Sequence, residues 1–448
     1  MQQNFFDPPN DSRFALRNLT APTCLLPSLA ADPAELCRID LLVENGRIGA
    51  VERAGTLPVA LGPDLDGAMV LPGFVDLHTH LDKGHIWPRS PNPTGEHPAA
   101  ARATAQDRES RWNAYDVGRR MDFGLATAYA HGVVAIRTHI DSLAPQAAIS
   151  FPVFREARDR WAGRIDLQAS SIATLDIFLG DEGRELADIV AQSDGKLGCA
   201  TTFRSIANVP LPPEFDVAMT NLFTLARERE LDVDLHVDET SDPNVSNLMR
   251  IAHIATRLNF PGKILCGHCC SLALQSDERI TATLDACFEA GIDIVSLPTV
   301  NMFLQDRRAG RTPRWRGVPP LQEMRARGLR VAVAGDNARD PFYAYGDHDM
   351  LDTFTQAVKI LHLDYPLGDW ITAATQVPAA IMRLPQRGTL RPGVPADVVI
   401  CRARNYSELL ARAQWDRVVL RNGRAIDTTL PDYRQLDDLM PAPAEALR

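Results

Sequence analysis

Two histidines separated by one residue, His78-Thr-His80, end the apolar run Met69 to Val75 and its continuation Asp76-Leu77. In a strand, side chains at i and i+2 point to the same side, so both imidazoles can converge on one cation, for which neutral imidazole is a common ligand. Three later apolar runs also end in groups that could do chemistry: Asp234-Leu-His236-Val-Asp238-Glu239, Cys266-Gly-His268 and Gly335-Asp336-Asn337. Taken singly, each has a bland reading. A lone histidine at a strand end is often a hydrogen-bonded core or rim residue, Asp336 could cap the next helix, and Glu239 could be a solvated loop residue. Cys266-Gly-His-Cys269 has no second cysteine pair at zinc-finger spacing and reads as small residues at a buried strand end. Together, however, His78, His80, His236 and His268 with two carboxylates, Glu239 and Asp336, close four separate runs. That set points to hydrolysis at a divalent metal, where an ion acidifies water and carboxyl groups carry protons.

The elements that must position these groups are legible as alternation. After the first run come Val133–Ile140, Ile165–Ile172, Lys196–Thr202, Val233–Val237, Lys263–His268, Ile292–Leu297 and Leu329–Gly335, with helix-like segments between them. The later runs recur about every 30 residues, the size of a strand and its returning helix. Eight such units predict an α/β protein built on a (β/α)8 TIM barrel, in which chemistry sits where the strands end. A doubly wound open sheet is the runner-up, but the glycine-rich fingerprint after its first strand is missing. Lys83 to about Arg120 reads as a long first βα loop, with part of a helix, over the barrel mouth.

Both ends of the chain carry different, β-rich material. Phe14–Leu19 is a strand candidate, Ile39–Ile48 a hairpin turning at Asn45-Gly46, and Arg417–Ile426 a second hairpin turning at Asn422-Gly423. The expected organisation is a small β-sandwich-like domain formed from both termini (residues 1–70 and 386–448, the latter with a tail) around a hydrolase barrel at 71–385.

Composition narrows the class. A hydrophobic content of 45% and a charged content of 23% belong to a soluble globular chain, and the net charge of -10 argues against a nucleic-acid or anionic-membrane surface. No signal-peptide pattern opens the sequence and no 18-residue apolar segment follows, so the expected location is cytoplasmic. The eight cysteines are scattered and read as reduced, mostly structural residues.

From Pro72 to about Ile400 the chain resembles the amidohydrolase superfamily, and within it the cytosine deaminase-like group, related also to the triazine-ring amidohydrolases. The stretches that carry the resemblance are Pro72-Gly-Phe-Val-Asp-Leu-His-Thr-His-Leu-Asp-Lys83, Arg137-Thr-His-Ile-Asp141, Ile165-Asp-Leu-Gln168 and Asp234-Leu-His-Val-Asp-Glu239. Gly267-His268, Val300-Asn-Met-Phe-Leu-Gln-Asp-Arg307 and Gly335-Asp-Asn-Ala-Arg-Asp-Pro341 complete the set. The resemblance implies one divalent ion per chain, zinc or iron, held by His78, His80, His236 and Asp336. It implies catalytic roles for three residues. Asp336 would accept the proton of the attacking water, Glu239 would use a raised pKa to protonate a ring nitrogen and then the departing amine, and His268 would donate to the developing oxyanion or hold the attacking water. Strand four ends Cys199-Ala-Thr-Thr-Phe-Arg204 without the lysine that bridges two metals in binuclear members, which favours a single ion.

The implied reaction is release of ammonia from a small aminated nitrogen heterocycle, such as a cytosine-like pyrimidine or a triazine, with water as co-substrate. Two departures fall on substrate-reading positions. Thr174 stands where cytosine deaminases carry a glutamine that reads the pyrimidine amide, and Asp336-Asn337 replaces two adjacent acids. Gln168, Thr174, Arg204, Gln305 and Asn337 are the substrate-binding candidates; Arg307 is a further rim candidate, and Trp87 and Phe342 could stack on a ring. Rival readings are a cyclic amidohydrolase, an N-alkylamine-releasing hydrolase, or a non-catalytic binding protein. The small zinc nucleoside deaminase fold is excluded, because no H-x-E with a following P-C-x-x-C occurs. Barrels of this kind are often homo-oligomers, but no interface patch is readable.

Overall fold

The computed structural model describes residues 5–29, 34–204 and 212–440. In chain order its strands are β1 (Arg13–Pro22), β2 (Leu36–Glu44), β3 (Arg47–Arg53), β4 (Met69–Pro72), β5 (Phe74–Thr79), β6 (Val133–Asp141), β7 (Asp166–Ile172) and β8 (Leu197–Ala200). They continue as β9 (Val233–Val237), β10 (Ile264–His268), β11 (Ile292–Ser296), β12 (Val331–Val333), β13 (Val398–Cys401), β14 (Val418–Arg421) and β15 (Arg424–Ala425). Each of the eight apolar runs contains a strand. The first contains two. Met69–Pro72 pairs antiparallel with β13, and the chain then breaks at Gly73 before β5 begins. Pro72 cannot donate to a ladder, and a Cβ on Gly73 would lie 2.2 Å from Val134 Cγ1, so only glycine fits this crossover.

By compactness the described residues fall into two units. One takes those up to Asp76, Ala126–Ala135 and Asp349–Leu430; the other takes Leu77–Leu125, Ile136–His348 and those from Pro431 onward. The first unit holds a seven-stranded sheet in the order β15-β14-β13-β4-β1-β2-β3, antiparallel apart from the β1/β4 pair. Strands from both ends of the sequence therefore share one sheet. Alternate residues, among them Leu41 and Val43 on β2 and Val398 and Ile400 on β13, point into one apolar core with Phe14, Leu16 and Leu420. Both hairpins turn where the sequence places them: Asn45-Gly46 and Asn422-Gly423 each hold two successive positive φ angles, the geometry for which Asn-Gly is suited.

The second unit carries the histidine-bearing strands. β8 to β12 form a parallel sheet in sequence order, with Gly267 of β10 opposite His236 of β9, and β5-β6-β7 form another sheet. Isolated parallel bridges connect their edges: Ser170 with Lys196 and Thr174 with Ala200 on one side, Thr79 with Asp336 on the other. The segment after β5 is a loop followed by α1 (His97–Arg111) and α2 (Ala114–Ala130). Among the described residues, no helix is long and apolar enough to cross a membrane.

Candidate active site

β5 delivers His78 and the adjoining His80, β9 His236 and β10 His268, while Asp336 lies just beyond β12. Asp336 is tied to the first strand through its backbone. Its N–H donates to the His78 carbonyl at 2.8 Å, its own carbonyl accepts from the His80 N–H at 3.0 Å, and the Thr79 hydroxyl donates to that carbonyl at 2.8 Å. This seam carries the carboxylate to the two histidines. Asp336 and His268 both hold left-handed backbone, with φ of 62° and 69°, a conformation uncommon away from glycine and often found at functional sites. Gly267 makes room for the first histidine, since a Cβ there would sit 3.1 Å from His78 Cε1.

The resulting donor cluster is compact and buried. His78 Nε2 lies 3.1 Å from His236 Nε2, and His236 Nε2 lies 3.3 Å from His80 Nε2. Asp336 Oδ1 lies 3.2 Å from His80 Nε2 and 3.5 Å from His78 Nε2. Four ligands about 2.0–2.2 Å from one tetrahedral ion are about 3.3–3.6 Å apart, so these spacings fit a shared cation. The hydrogen-bonding fits as well: neither Asp336 carboxylate oxygen accepts a hydrogen bond, although the side chain is only 1% exposed. Donor atoms of His78, His236, His268 and Asp336 also lie within 4.8 Å of one another, as do those of His78, His80 and His139. The His139 ring also faces another acid: its Nε2 is 3.1 Å from Asp234 Oδ1, and Arg137 donates to Asp234 Oδ2 at 3.0 Å.

Burial holds the imidazoles of His78, His80 and His236 well below their ordinary pKa of 6.5, with neighbouring histidines adding to the effect. Neutral imidazole is the ligand form. The sign of the linked stability follows. Below about pH 6.5 the unfolded chain binds protons that these folded rings do not, so stability present above that pH is lost as pH falls, by up to ~1.4 kcal/mol per histidine per pH unit. Chelator-treated protein should therefore melt at progressively lower temperature between about pH 6.5 and about pH 5.5. A Tm that stayed flat over this range would show that the three rings are not kept neutral by the fold.

Beside the cluster opens a cavity of about 230 Å³. His80, His236, His268, Asp336, Glu239, Thr174 and Asn337 line it, and so do Lys83, His97, Arg108, Asp141 and Phe342. Glu239 is positioned on both oxygens: His97 Nε2 is 3.2 Å from Oε2, and Asn301 Nδ2 is 3.5 Å from Oε1. Burial alone would raise its pKa, but the cation-capable groups His268, His97 and Lys83 outweigh that and hold it at about 2. The raised pKa expected from the sequence is thus reversed, because three cationic or cation-capable groups surround the carboxylate. Asp336 moves the other way, to about 6, through burial and the nearby Glu239 charge.

Asn301 also sets the tautomer of His268. Its Nδ2 lies 2.9 Å from His268 Nδ1 and faces the Glu239 carboxylate as well, so the amide must present its N–H₂ to both acceptors. His268 Nδ1 then accepts, which leaves the hydrogen on Nε2, an atom buried without a hydrogen-bond partner. The adjacent acid, Asp238, is a structural group. Its carboxylate accepts from the N–H groups of Asn247 and Leu248 at 3.1 and 3.0 Å, capping the helix Asn247–Arg257.

Of the substrate-binding residues expected from the sequence, Thr174 and Asn337 line the cavity and three do not. Thr174 Oγ1 is buried and without a hydrogen-bond partner, while Asn337 Nδ2 donates to Asp340 Oδ2 at 2.7 Å. Gln168 sits early in β7, where its Oε1 accepts from Arg137 at 3.1 Å. Arg204 is 47% exposed and paired with Asp176 and Glu182. Gln305 is buried against Gly317. Arg307 folds back onto the Phe303 carbonyl and ring, and Trp87 is absent from the lining. Gln168 lies too early in its strand to reach the cavity, Gln305 and Arg307 follow the helix Pro298–Leu304, and the Arg204 side chain is turned to the surface. Phe342 does face the cavity, with the Lys83 ammonium 4.7 Å from its ring centre. Arg108, Asp141, Lys83, Asn301 and His97 join the site in addition to the residues expected from the sequence. Only Lys83, Asp141 and Asn301 lay in recognisable motifs; nothing local marked His97 or Arg108.

An α/β chain whose strand ends gather histidines and a carboxylate around one point defines a metallohydrolase type of site. The comparisons with known proteins agree. The amidohydrolase family model matches residues 63–165 and 180–424. The chain is 47% identical over 445 residues to a pterin deaminase of Rhizobium rhizogenes strain K84, covering 99% of this chain and 100% of that one. It is 23% identical over 381 residues to an N-isopropylammelide isopropyl amidohydrolase of Pseudomonas sp. strain ADP, covering 81% and 87% of the two chains. Among solved structures, 5-methylcytosine deaminase from Klebsiella pneumoniae liganded with 5-fluorocytosine superposes with a TM-score of 0.78 at 22% identity, covering 94% of this chain and 98% of that one. The chain belongs to the amidohydrolase family and has its α/β fold.

Proposed function

We propose that this protein is a metal-dependent hydrolytic deaminase whose preferred substrate is a fused, pterin-type aminated heterocycle. It is a hydrolase of carbon–nitrogen bonds other than peptide bonds. The observation that carries the ring assignment is the end-to-end 47% identity to a pterin deaminase. Thr174 at the cavity wall speaks against cytosine itself, since a short hydroxyl cannot span the distance of the glutamine amide that would read that ring. In the same reading β5 to β12 close a (β/α)8 barrel through the bridges at Ser170, Thr174 and Thr79. Strands from both ends of the sequence form a composite β domain distinct from the barrel, and the protein is cytoplasmic.

His78, His80, His236 and Asp336 would hold one divalent ion, zinc or iron. When bound, the ion supplies a Lewis acid that lowers the pKa of a water toward neutrality. The chain's own groups handle the protons. Glu239, ionised in the free protein, receives a proton on its carboxylate, passes it to the ring nitrogen, and later carries a second to the amino group. His268 donates from Nε2 to the oxygen that gains charge. The water oxygen becomes the ring carbonyl, the carbon–nitrogen bond breaks, and the amine leaves as ammonia with both of the water's protons accounted for.

An ammonia-release screen of metal-loaded protein over aminated heterocycles tests this. Pterin should exceed cytosine in kcat/KM by at least ~10-fold, the scale of one unpaired buried polar group. Cytosine as the best substrate, with kcat/KM above ~10⁵ M⁻¹s⁻¹, would overturn the ring assignment. Alkylamine release from N-alkylated triazines in place of ammonia would move the reading toward the Pseudomonas relative.

A further inference from the structure

His97 comes from outside the strand ends. It is the first residue of α1, in the segment between β5 and β6, yet its Nε2 approaches Glu239 Oε2 to 3.2 Å. The contact is sheltered, with the two side chains 23% and 11% exposed. The imidazole is braced from the side by Phe342, whose ring centre is 5.4 Å away at an interplanar angle of 73°. Further along α1, Ala101, Thr104, Ala105 and Arg108 line the same cavity, at the spacing of one helix face. Arg108 Nη1 lies 3.7 Å from Asp141 Oδ2. The helix face that lines this cavity therefore reaches the Glu239 carboxylate through His97.

We propose that His97 is a positioning residue for Glu239, and this rests on the deaminase reading given above. A glutamate beyond a strand end has several rotamers open to it. The His97 contact at Oε2 and the longer Asn301 contact at Oε1 together leave one carboxylate orientation. A carboxylate that must receive a proton and then deliver it to two different nitrogens depends on that orientation. A misplacement of about 1 Å at such a group costs on the order of 10²-fold in rate. Because His97 travels with α1, whatever seats that helix against the cavity also sets the aim of Glu239.

Three variants test the inference in the metal-loaded enzyme. His97→Met removes the polar contact at similar bulk and should lower kcat ~10–10²-fold with KM within about threefold. His97→Gln places an N–H donor near the position of Nε2 and should restore kcat to within about threefold of wild type. In a Glu239→Gln background, His97→Met should change the residual rate by less than about twofold, because the group it positions has already lost its chemistry. Equal losses from His97→Met in both backgrounds, a loss confined to KM, or no rescue by His97→Gln in a variant that melts like wild type would each overturn the inference. Wild-type protein that released ammonia from no heterocycle would overturn the deaminase reading and this inference together. Normal wild-type turnover with an unaffected His97→Met would overturn the inference alone.

Discussion

Replacing Glu239 by glutamine should leave the bound ion in place and lower kcat by ~10²–10⁴-fold, the usual worth of a general acid–base group. The side chain keeps its size, so His97 at 3.2 Å and Asn301 at 3.5 Å can still flank it, but it can no longer take up or release a proton. Its charge matters too. Burial would favour the neutral acid, and the cation-capable groups around it hold the carboxylate at about 2 instead, so Glu239 is ionised before any proton is moved. The loss should fall on kcat, with KM within a few-fold, since the cavity walls are unchanged. Turnover above a tenth of the wild-type rate would make Glu239 a spectator.

Removing a single histidine of the proposed metal site should be at least as damaging. His236 stands between its neighbours, with Nε2 3.1 Å from His78 and 3.3 Å from His80, so His236→Ala opens the donor set at its middle. Protein purified without added metal should carry close to one ion per chain, and the variant far less, with activity following the metal content. Ion binding to the folded state alone also stabilises it, by about 4 kcal/mol at a thousandfold excess over Kd. Chelation should therefore lower the melting temperature of wild type much more than that of the variant. Two ions per chain at full activity would contradict the mononuclear site. β8 leads into Thr201 and Thr202 at the cavity, and the stretch Cys199–Arg204 has no lysine to bridge a second ion.

Much of this was decided by local sequence, for a physical reason. Period-two alternation puts His78 and His80 on one side of their strand, apolar runs about 30 residues apart specify strand–helix units, and Asn-Gly demands the positive φ angles of a hairpin turn at 45–46 and 422–423. These rules act within a few residues, so they can be read without the fold. Tertiary structure decided everything that depends on where a side chain points after a strand ends. Gln168 lies within β7 and Arg204 beyond β8, yet one is held by Arg137 and the other faces solvent with Asp176 and Glu182. The pairing of His97 with Glu239 joins residues 142 positions apart through a helix that no strand-end rule would consult. The pKa of Glu239 went the same way. A carboxyl in an apolar pocket should rise, and only the convergence of His268, His97 and Lys83 from three separate segments turns it downward. Even Asp336, readable as either a cap or a ligand, became a candidate ligand because two backbone hydrogen bonds to β5 and its neighbour His80 carry it there. Spacing along the chain set which groups could meet, and the packing of distant segments set which of them do.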